Sequence, residues 1–348
     1  MTRTFAPLPR PARSAPGALR LAALALVAAV GIAGCSTTPA REDRPTIVPA
    51  QPALAPEPAT APAGTVLPAA AGEGLAFDPV GRRLAAIEGN EVVLYTVDGG
   101  LKEVTRISTD GRANQVVPKG RRGAGFLVAT TNAVVQIDGD KAGFTQRLSG
   151  DVLSVAAYDE ANDDAVWAVA GTASGDVVAL RTAKEPTSIP GPVEASRILV
   201  HGSDVAVVDR LQASLTEVDV AGRTMGKGLR VGRGITNASI TPDGRVFAVD
   251  TGKNQVIGYT VQPLMEKFLY PEKSAPWAVD YDETDKLMWL TRTATNEVVG
   301  YALNTGIPEQ RKLFPTVRQP NAIAVDAKTG TLYVQSASGA GIQAIPTR

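Results

Sequence analysis

A short pattern of β-type residues recurs seven times along this chain, and no other feature of the sequence constrains its fold as strongly. Its clearest copies read NQVIGY at residues 254–259 and NEVVGY at residues 296–301. The seven copies begin at residues 90, 132, 175, 213, 254, 296 and 339, so that successive starts lie 38 to 43 residues apart. A near-constant period of this length indicates one structural unit copied along the chain.

A strand and a turn precede each clear copy of this motif. The turns read TPDG at residues 241–244 and AKTG at residues 327–330. Proline fixes φ, and glycine or aspartate accepts turn geometry, so each turn predicts a hairpin. A second strand follows the turn, and a looser fourth run such as residues 267–270 completes the unit. No segment after residue 64 has helical periodicity, so the sequence predicts an all-β fold.

Four antiparallel strands repeated at about 40 to 45 residues are typical of one blade of a β-propeller. A single blade cannot bury both of its faces, so the repeats are expected to fold together as one domain. The last repeat has only three strands before Arg348, while residues 64–71 precede the first repeat without a unit of their own. The sequence therefore predicts a seven-bladed β-propeller over residues 64–348, in which Thr65 to Leu67 closes the last blade as its fourth strand.

The repeats resemble the seven-bladed propellers of the YVTN and NHL types. The PDG turn, VDTGKNQV at residues 249–256 and NEVVGY at residues 296–301 carry the resemblance. Repeats one, five, six and seven match best, whereas PKGRRGAG at 118–125 and HGSD at 201–204 replace the usual turn in repeats two and four. The resemblance implies a binding face made of the loops that enter the innermost strands and the loops between second and third strands.

The N-terminal residues resemble a bacterial lipoprotein signal. Arginines at positions 3, 10, 13 and 20 precede an apolar run, Leu21 to Ile32, which is too short to span a bilayer. Ala33, Gly34 and Cys35 follow in the order of a lipobox, in which the cysteine is lipidated. We therefore expect residues 1–34 to be a signal peptide and Cys35 to carry the acyl anchor, with the protein held extracytoplasmically at the cell membrane. Cys35 is the only cysteine, so no intramolecular disulfide is possible.

Residues 35–63 are rich in proline and alanine. This composition favours extended polyproline II and supplies few apolar residues for a core. The sequence therefore predicts a flexible tether between Cys35 and the propeller. Lys plus Arg and Asp plus Glu number 35 each, so the net charge of zero gives no support to a nucleic-acid partner.

The aligned inner strands predict a ring of candidate ligand-binding residues near the channel mouth. The ring consists of Glu73, Asn114, Ser154, Ser196, Thr236, Trp277 and Asn321. A water-filled channel needs a polar lining in any case, and Trp277 is either a stacking platform or a structural side chain. The neighbouring loops add the charged candidates Asp209, Arg210, Arg233, Asp250, Arg292 and Arg318. Their arginines either bind an anion or form ion pairs with the acids.

The sequence predicts no catalytic residue, no metal and no cofactor. His201 is the sole histidine, and no nucleophile or acid is tied to it by spacing. The acidic turns at residues 159–164 and 282–285 lack the spacing of an EF-hand loop. The favoured function is a monomeric binding or scaffold lipoprotein of the envelope, with a protein or a cell-wall glycan as its ligand. The alternative is a channel-metal hydrolase or lactonase similar to the gluconolactonase-like propellers, using Glu73, Asn114 and Asn321.

Overall fold

A computed structural model describes residues 44–158 and 166–348, and over these residues it contains seven four-stranded antiparallel sheets. The innermost strands of consecutive sheets contact one another around a closed ring. The seven-bladed propeller predicted from the repeat period is therefore confirmed. The signal peptide, Cys35 and the acidic turn at 159–164 lie outside the described residues. No helix in the described ranges is long and apolar enough to span a bilayer.

The first strand, β1 (Thr65–Leu67), precedes the first blade, and each of blades one to four then runs from the channel outwards in chain order. These blades contain β2 (Gly74–Asp78), β3 (Arg83–Glu88), β4 (Glu91–Thr96) and β5 (Lys102–Ser108); β6 (Ala113–Pro118), β7 (Phe126–Thr130), β8 (Ala133–Asp138) and β9 (Lys141–Arg147); β10 (Val152–Ala157), β11 (Val166–Thr172), β12 (Asp176–Arg181) and β13 (Thr187–Pro190); and β14 (Arg197–His201), β15 (Asp204–Asp209), β16 (Ser214–Asp219) and β17 (Thr224–Arg230).

Blades five to seven continue this order. They contain β18 (Ile235–Ile240), β19 (Arg245–Asp250), β20 (Gln255–Thr260) and β21 (Met265–Pro271); β22 (Pro276–Asp282), β23 (Leu287–Arg292), β24 (Glu297–Ala302) and β25 (Glu309–Pro315); and β26 (Pro320–Asp326), β27 (Thr331–Ser336) and β28 (Ile342–Pro346). Within residues 44–158 and 166–348, two short 3-10 helices lie in the loops, at Gly120–Arg122 within the atypical PKGRRGAG turn and at Thr251–Lys253.

The middle strands of each blade are apolar at consecutive positions because neighbouring blades cover both of their faces. Leu84, Ala85 and Ala86 of β3 are all fully buried. Strands covered on both sides read as continuous apolar runs rather than as alternating ones. The outermost strand β5 is mostly exposed and accordingly polar, with the sequence KEVTRIS. The hydrophobic core therefore lies between blades.

The first residue of the repeated motif adopts a left-handed backbone in five of the seven copies. These residues are Gly175, Ala213, Asn254, Asn296 and Gly339, with φ between +48° and +81°. Glycine and asparagine adopt this conformation at the lowest cost, which explains why they recur there. The motif is thus recurrent for a structural reason.

The fifth motif residue is glycine in the two clearest copies because an aromatic ring occupies the place of its side chain. A Cβ on Gly258 would lie 2.3 Å from the ring of Phe268, and one on Gly300 would lie 2.9 Å from the ring of Trp289. Any larger side chain would displace these rings. The glycines therefore allow large aromatic side chains to pack inside blades five and six.

The N-terminal strand closes the ring as the sequence predicts. Strand β1 pairs antiparallel with β28, placing Thr65 opposite Ala344, so that the sheet order of blade seven is β1, β28, β27 and β26. An ion pair also joins the first and last blades, because Arg82 Nη1 lies 2.7 Å from Oδ2 of the buried Asp326. Chain segments from both termini thus hold blade seven together.

Residues 44–63, which we call the strap, are hydrogen-bonded to the propeller. The Ile47 N–H donates to the Leu211 carbonyl at 2.8 Å, and the Ala63 N–H donates to the Pro315 carbonyl at 3.0 Å. The sequence predicts a flexible tether over residues 35–63 and gives no indication of these contacts. Alanine and proline provide few side-chain interactions, yet their backbone groups bind wherever the propeller presents polar partners.

Candidate binding face

One face of the propeller carries the loops that enter the innermost strands and the loops between second and third strands, and we call it the mouth face. The resemblance to YVTN-type and NHL-type propellers implies that this face binds a ligand. Antiparallel pairing places the loops entering the inner strands on the same side as those joining second to third strands. The loops are 68–73, 109–112, 148–151, 191–196, 231–234, 272–275 and 316–319, together with 89–90, 131–132, 173–175, 210–213, 251–254, 293–296 and 337–341.

The strap crosses the mouth face from blade four to blades six and seven. At blade four, Arg210 Nη2 donates to the Ala50 carbonyl at 3.3 Å. At the entrance to blade seven, Arg318 Nε donates to the Ala55 carbonyl at 3.2 Å, and its Nη1 lies 2.6 Å from Oε1 of Glu57. Two of the arginines predicted to bind a ligand are therefore engaged by the strap.

Arg292 is held in a buried cluster at the end of β23. Its Nε donates to Oε1 of Glu272 at 2.9 Å, and its Nη2 donates to the Tyr301 hydroxyl at 2.9 Å. The Tyr301 hydroxyl in turn donates to Glu272. Burial opposes the charge of Arg292, but the Glu272 carboxylate raises its pKa, and burial raises the pKa of Tyr301. This guanidinium is neutralised within the chain.

The two predicted acids of the loops are buried structural acceptors. Asp209 accepts backbone N–H groups of the neighbouring loops, including those of Val193 and Leu211 at 2.8 Å each. Asp250 accepts the backbone N–H of Arg233 at 2.8 Å. Burial raises the pKa of Asp209, and the backbone N–H bonds partly offset the rise. Both carboxylates fix loop conformation rather than face solvent.

Polar residues of the predicted ring link neighbouring elements around the mouth. Asn114 Nδ2 donates to Asp151 Oδ1 at 2.7 Å, joining blade two to blade three. Asn321 Nδ2 donates to Glu73 Oε1 at 2.9 Å, joining blade seven to blade one. The Ser154 hydroxyl donates to the Ala195 carbonyl and joins blade three to blade four. Ser196 and Thr236 instead contact residues of their own blades, Glu194 and Thr251.

Trp277 is only 7% exposed and packs in the core between blades six and seven with Val317 and Ile323. A stacking platform needs an open ring face, which this burial does not provide. The side chain of Arg233 is exposed on the same face, while its backbone N–H is bound by Asp250. Of the predicted residues, the structure brings Glu73 into contact with Asn321 and Asp250 into contact with the backbone of Arg233, and it distributes the others around the ring.

Sequence alignment missed a polar cluster deeper in the channel. Arg197 Nη2 donates to Asn237 Oδ1 at 2.7 Å across blades four and five. Asp280 accepts the Val325 backbone N–H at 3.1 Å and a hydrogen bond from Ser239, which ties blades five, six and seven together. Burial raises the pKa of Asp280 to about 6, although these hydrogen bonds favour its charged form. Burial lowers the pKa of Arg197 to about 10.

The pKa of Asp280 predicts a specific pH dependence of stability. As the pH rises from about 4 to about 6, the unfolded chain loses this proton before the folded chain does, so the folded state is destabilised. Asp280→Asn removes this titration. We therefore expect the free energy of unfolding of the variant, minus that of the natural chain, to rise by on the order of 2 kcal/mol between about pH 4 and about pH 7.

Urea unfolding of both chains at a series of pH values measures this difference. The asparagine amide replaces one acceptor oxygen of Asp280 by a donor, but this replacement changes the free energy of unfolding by the same amount at every pH. A difference that stays constant with pH would contradict the prediction.

The opposite face carries His201. It is paired with Asp204 in the β14–β15 hairpin, and its Nε2 lies 3.0 Å from the Pro242 carbonyl. Across the residues placed in the structure, no group of three or more His, Cys, Asp and Glu side chains is arranged to hold a metal ion.

Comparisons with known proteins identify the fold. No protein-family model matches the sequence, and no curated protein matches it at a significant level. Similar solved structures include a chain of Kuenenia stuttgartiensis hydrazine synthase (TM-score 0.66, 10% identity, covering 81% of this chain and 97% of that one). The Cps50 (Swd1) β-propeller domain of Myceliophteria thermophila gives a TM-score of 0.68 at 12% identity, covering 82% and 99%. A chain of the mitotic checkpoint complex gives 0.69 at 12% identity, covering 86% and 98%.

Proposed function

We propose that this chain is a lipoprotein, anchored to the bacterial cell membrane through Cys35, whose propeller binds a protein partner outside the cytoplasm without catalysing a reaction. The composition of the mouth face carries the proposal. Val48 and Leu54, exposed to 91% and 87%, are the most exposed large apolar side chains of the described ranges, and both project from the strap. Exposed apolar side chains on a face that also carries the exposed basic side chains of Arg233 and Lys253 favour a protein-binding surface.

Two further observations support a protein partner. The burial of Trp277 removes the aromatic platform that would favour a glycan. One of the similar solved structures is part of an assembly, the mitotic checkpoint complex. Propellers without sequence similarity to this chain thus occur in protein complexes, and we infer the same mode of action here.

Residues 36–43 set the distance between the proposed anchor and the mouth face. These eight residues separate Cys35 from Arg44, whose side chain donates to the Gly191 carbonyl at 3.4 Å. An extended chain of that length spans at most about 30 Å. A lipid on Cys35 would therefore hold the mouth face, with Val48 and Leu54, towards the membrane surface, and a partner would be a membrane-associated protein.

Photo-crosslinking in cells tests this function. A photo-reactive residue at position 54 should capture one defined protein, whereas the same residue at Ile307, which is 66% exposed in a loop of the opposite face, should not. In parallel, Cys35→Ala should move the chain from the membrane fraction to the soluble extracytoplasmic fraction.

Each part of the proposal has its own contradicting result. Retention of the Cys35→Ala chain in the membrane would contradict the lipid anchor. Equal capture from positions 54 and 307 would contradict partner binding on the mouth face. If the purified chain holds a metal and has a hydrolytic activity, and Glu73→Ala loses both, the channel-metal hydrolase is supported instead. The contact between Glu73 and Asn321 is the observation that favours this alternative.

A further inference from the structure

Gln319 recognises the backbone of the strap with both ends of its amide. Its Nε2 donates to the Ala53 carbonyl at 2.9 Å, and its Oε1 accepts the Ala55 N–H at 2.9 Å. The amide is 8% exposed and is fixed by a further bond from Nε2 to Asn321 Oδ1 at 3.0 Å. A buried side chain thus binds an extended backbone in the way that a neighbouring strand would bind it.

The backbone of Gln319 itself is strained. Its φ is +55°, a left-handed conformation that costs a residue with a side chain about 1–2 kcal/mol. The Gln319 N–H donates to Asn296 Oδ1 at 3.0 Å, which holds the loop in this state. Strain of this kind persists where the surrounding structure fixes it, and it places the Gln319 amide against the strap.

The residues around Gln319 make three further contacts with the strap. Ala55 is 1% exposed, so its position accepts only a small side chain. Asn296 Nδ2 donates to the Pro56 carbonyl at 2.9 Å. Arg318 pairs with the Glu57 carboxylate at 2.6 Å. Together these contacts select an extended peptide with a buried alanine and, two residues later, an acid.

We propose that Asn296, Arg318 and Gln319 form a peptide-binding site for extended, Ala- and Pro-rich segments that carry this alanine and acid, and that the strap is its resident intramolecular occupant. All contacts are made to backbone atoms, one methyl group and one carboxylate, so a separate peptide can supply the same groups. Residues 59–61, which lead on from the site, are exposed. The ligand is the extended segment of a partner protein, which displaces the strap.

The site lies on the mouth face, so the inference rests on the proposed binding function and specifies the kind of partner. Tethering gives the strap an effective concentration in the millimolar range, which keeps free peptide out of the natural chain. A variant that releases the strap should therefore bind peptide more tightly. The test uses the purified chain without membranes, so its result is independent of the lipid anchor.

The releasing variant is Ala55→Trp, with Gln51→Trp as its matched control. Tryptophan cannot occupy the closed position of Ala55, whereas Gln51 is exposed and tolerates the same side chain. Hydrogen exchange should show faster exchange of residues 53–57 in Ala55→Trp only. The labelled peptide AQPALAPEP, which copies residues 50–58, should bind Ala55→Trp at least about tenfold more tightly than it binds Gln51→Trp or the natural chain, as measured by fluorescence anisotropy.

Adding Gln319→Ala to the Ala55→Trp chain should weaken peptide binding by about tenfold or more, because two hydrogen bonds are lost. A peptide with glutamine in place of its glutamate should also bind more weakly, since the charge-assisted bond to Arg318 is lost. Unchanged exchange at residues 53–57 in Ala55→Trp would show that the site does not select a small side chain. Equal peptide binding by Ala55→Trp and Gln51→Trp would show that the vacated surface is not a peptide site. Either result overturns the proposal.

Discussion

Replacing Arg292 by alanine is expected to lower the free energy of unfolding by about 3 kcal/mol, because it leaves a buried carboxylate without its cation. The side chain of Glu272 is 1% exposed, and Arg292 is the cation that contacts it, at 2.8 Å. The Tyr301 hydroxyl and the Lys273 N–H still donate to Glu272 but carry no balancing charge. Urea unfolding of the purified chain measures the loss.

Two companion variants separate a structural role of Arg292 from ligand binding. Arg233→Ala removes an exposed arginine from the same face and is expected to change stability by no more than about 0.5 kcal/mol. Replacing Glu272 and Arg292 together by leucine removes both charges and should recover much of the loss. If Arg292→Ala leaves stability unchanged but abolishes partner capture, Arg292 is a ligand contact and the structural interpretation is wrong.

The fold could be predicted from the sequence because its requirements are local and repeated. The left-handed residue that starts five of the seven motifs must tolerate positive φ, which favours asparagine or glycine at positions such as Asn254 and Asn296. The turns and the doubly covered strands leave equally regular signals. Even the closing strand could be predicted, since a last repeat with three strands requires a fourth from elsewhere in the chain.

The partners of the site residues could not be predicted in the same way. Arg292 and Glu272 are 20 residues apart and belong to different elements, so only the folded chain shows that they neutralise each other. The channel residue Asp280 was missed because a β-bulge shifts the register of its strand between Pro276 and Val279. Arg197 lies in β14, which pairs with β15 without such a shift, and its contact with Asn237 of the next blade is set by the fold rather than by the local sequence. A fixed alignment of inner strands therefore selects the wrong level of the channel.

The strap shows a different limit of sequence interpretation. Its alanines and prolines give no apolar pattern, and that composition is typical of a linker. The specificity lies instead in the propeller, where Asn296 and Gln319 present amides to backbone atoms of the strap. When a segment is bound through its backbone, its own sequence carries almost no pattern that predicts the binding.

Replacing Gly64 by alanine is expected to lower the free energy of unfolding by about 3 kcal/mol, through two separable effects. Gly64 has a φ of +70°, and an added Cβ would lie 2.1 Å from the Ala344 carbonyl oxygen. The positive φ alone costs about 1–2 kcal/mol. The clash adds to this cost, because β1 must move away from β28 and leave blade seven with an exposed edge.

Gly99→Ala isolates the first effect. Gly99 has a similar φ of +77°, but no atom lies within 4 Å of the added Cβ. We expect this control to lose only the cost of the backbone conformation, about 1 kcal/mol, and to keep residues 342–346 protected from hydrogen exchange. In Gly64→Ala the same residues should exchange faster, because they lose their outer partner. Equal losses of stability in the two variants would show that Gly64→Ala costs only its backbone strain and that β1 contributes nothing to closure. A larger loss in Gly64→Ala, with faster exchange in β28, would show that the three residues of β1 hold the last blade in the ring.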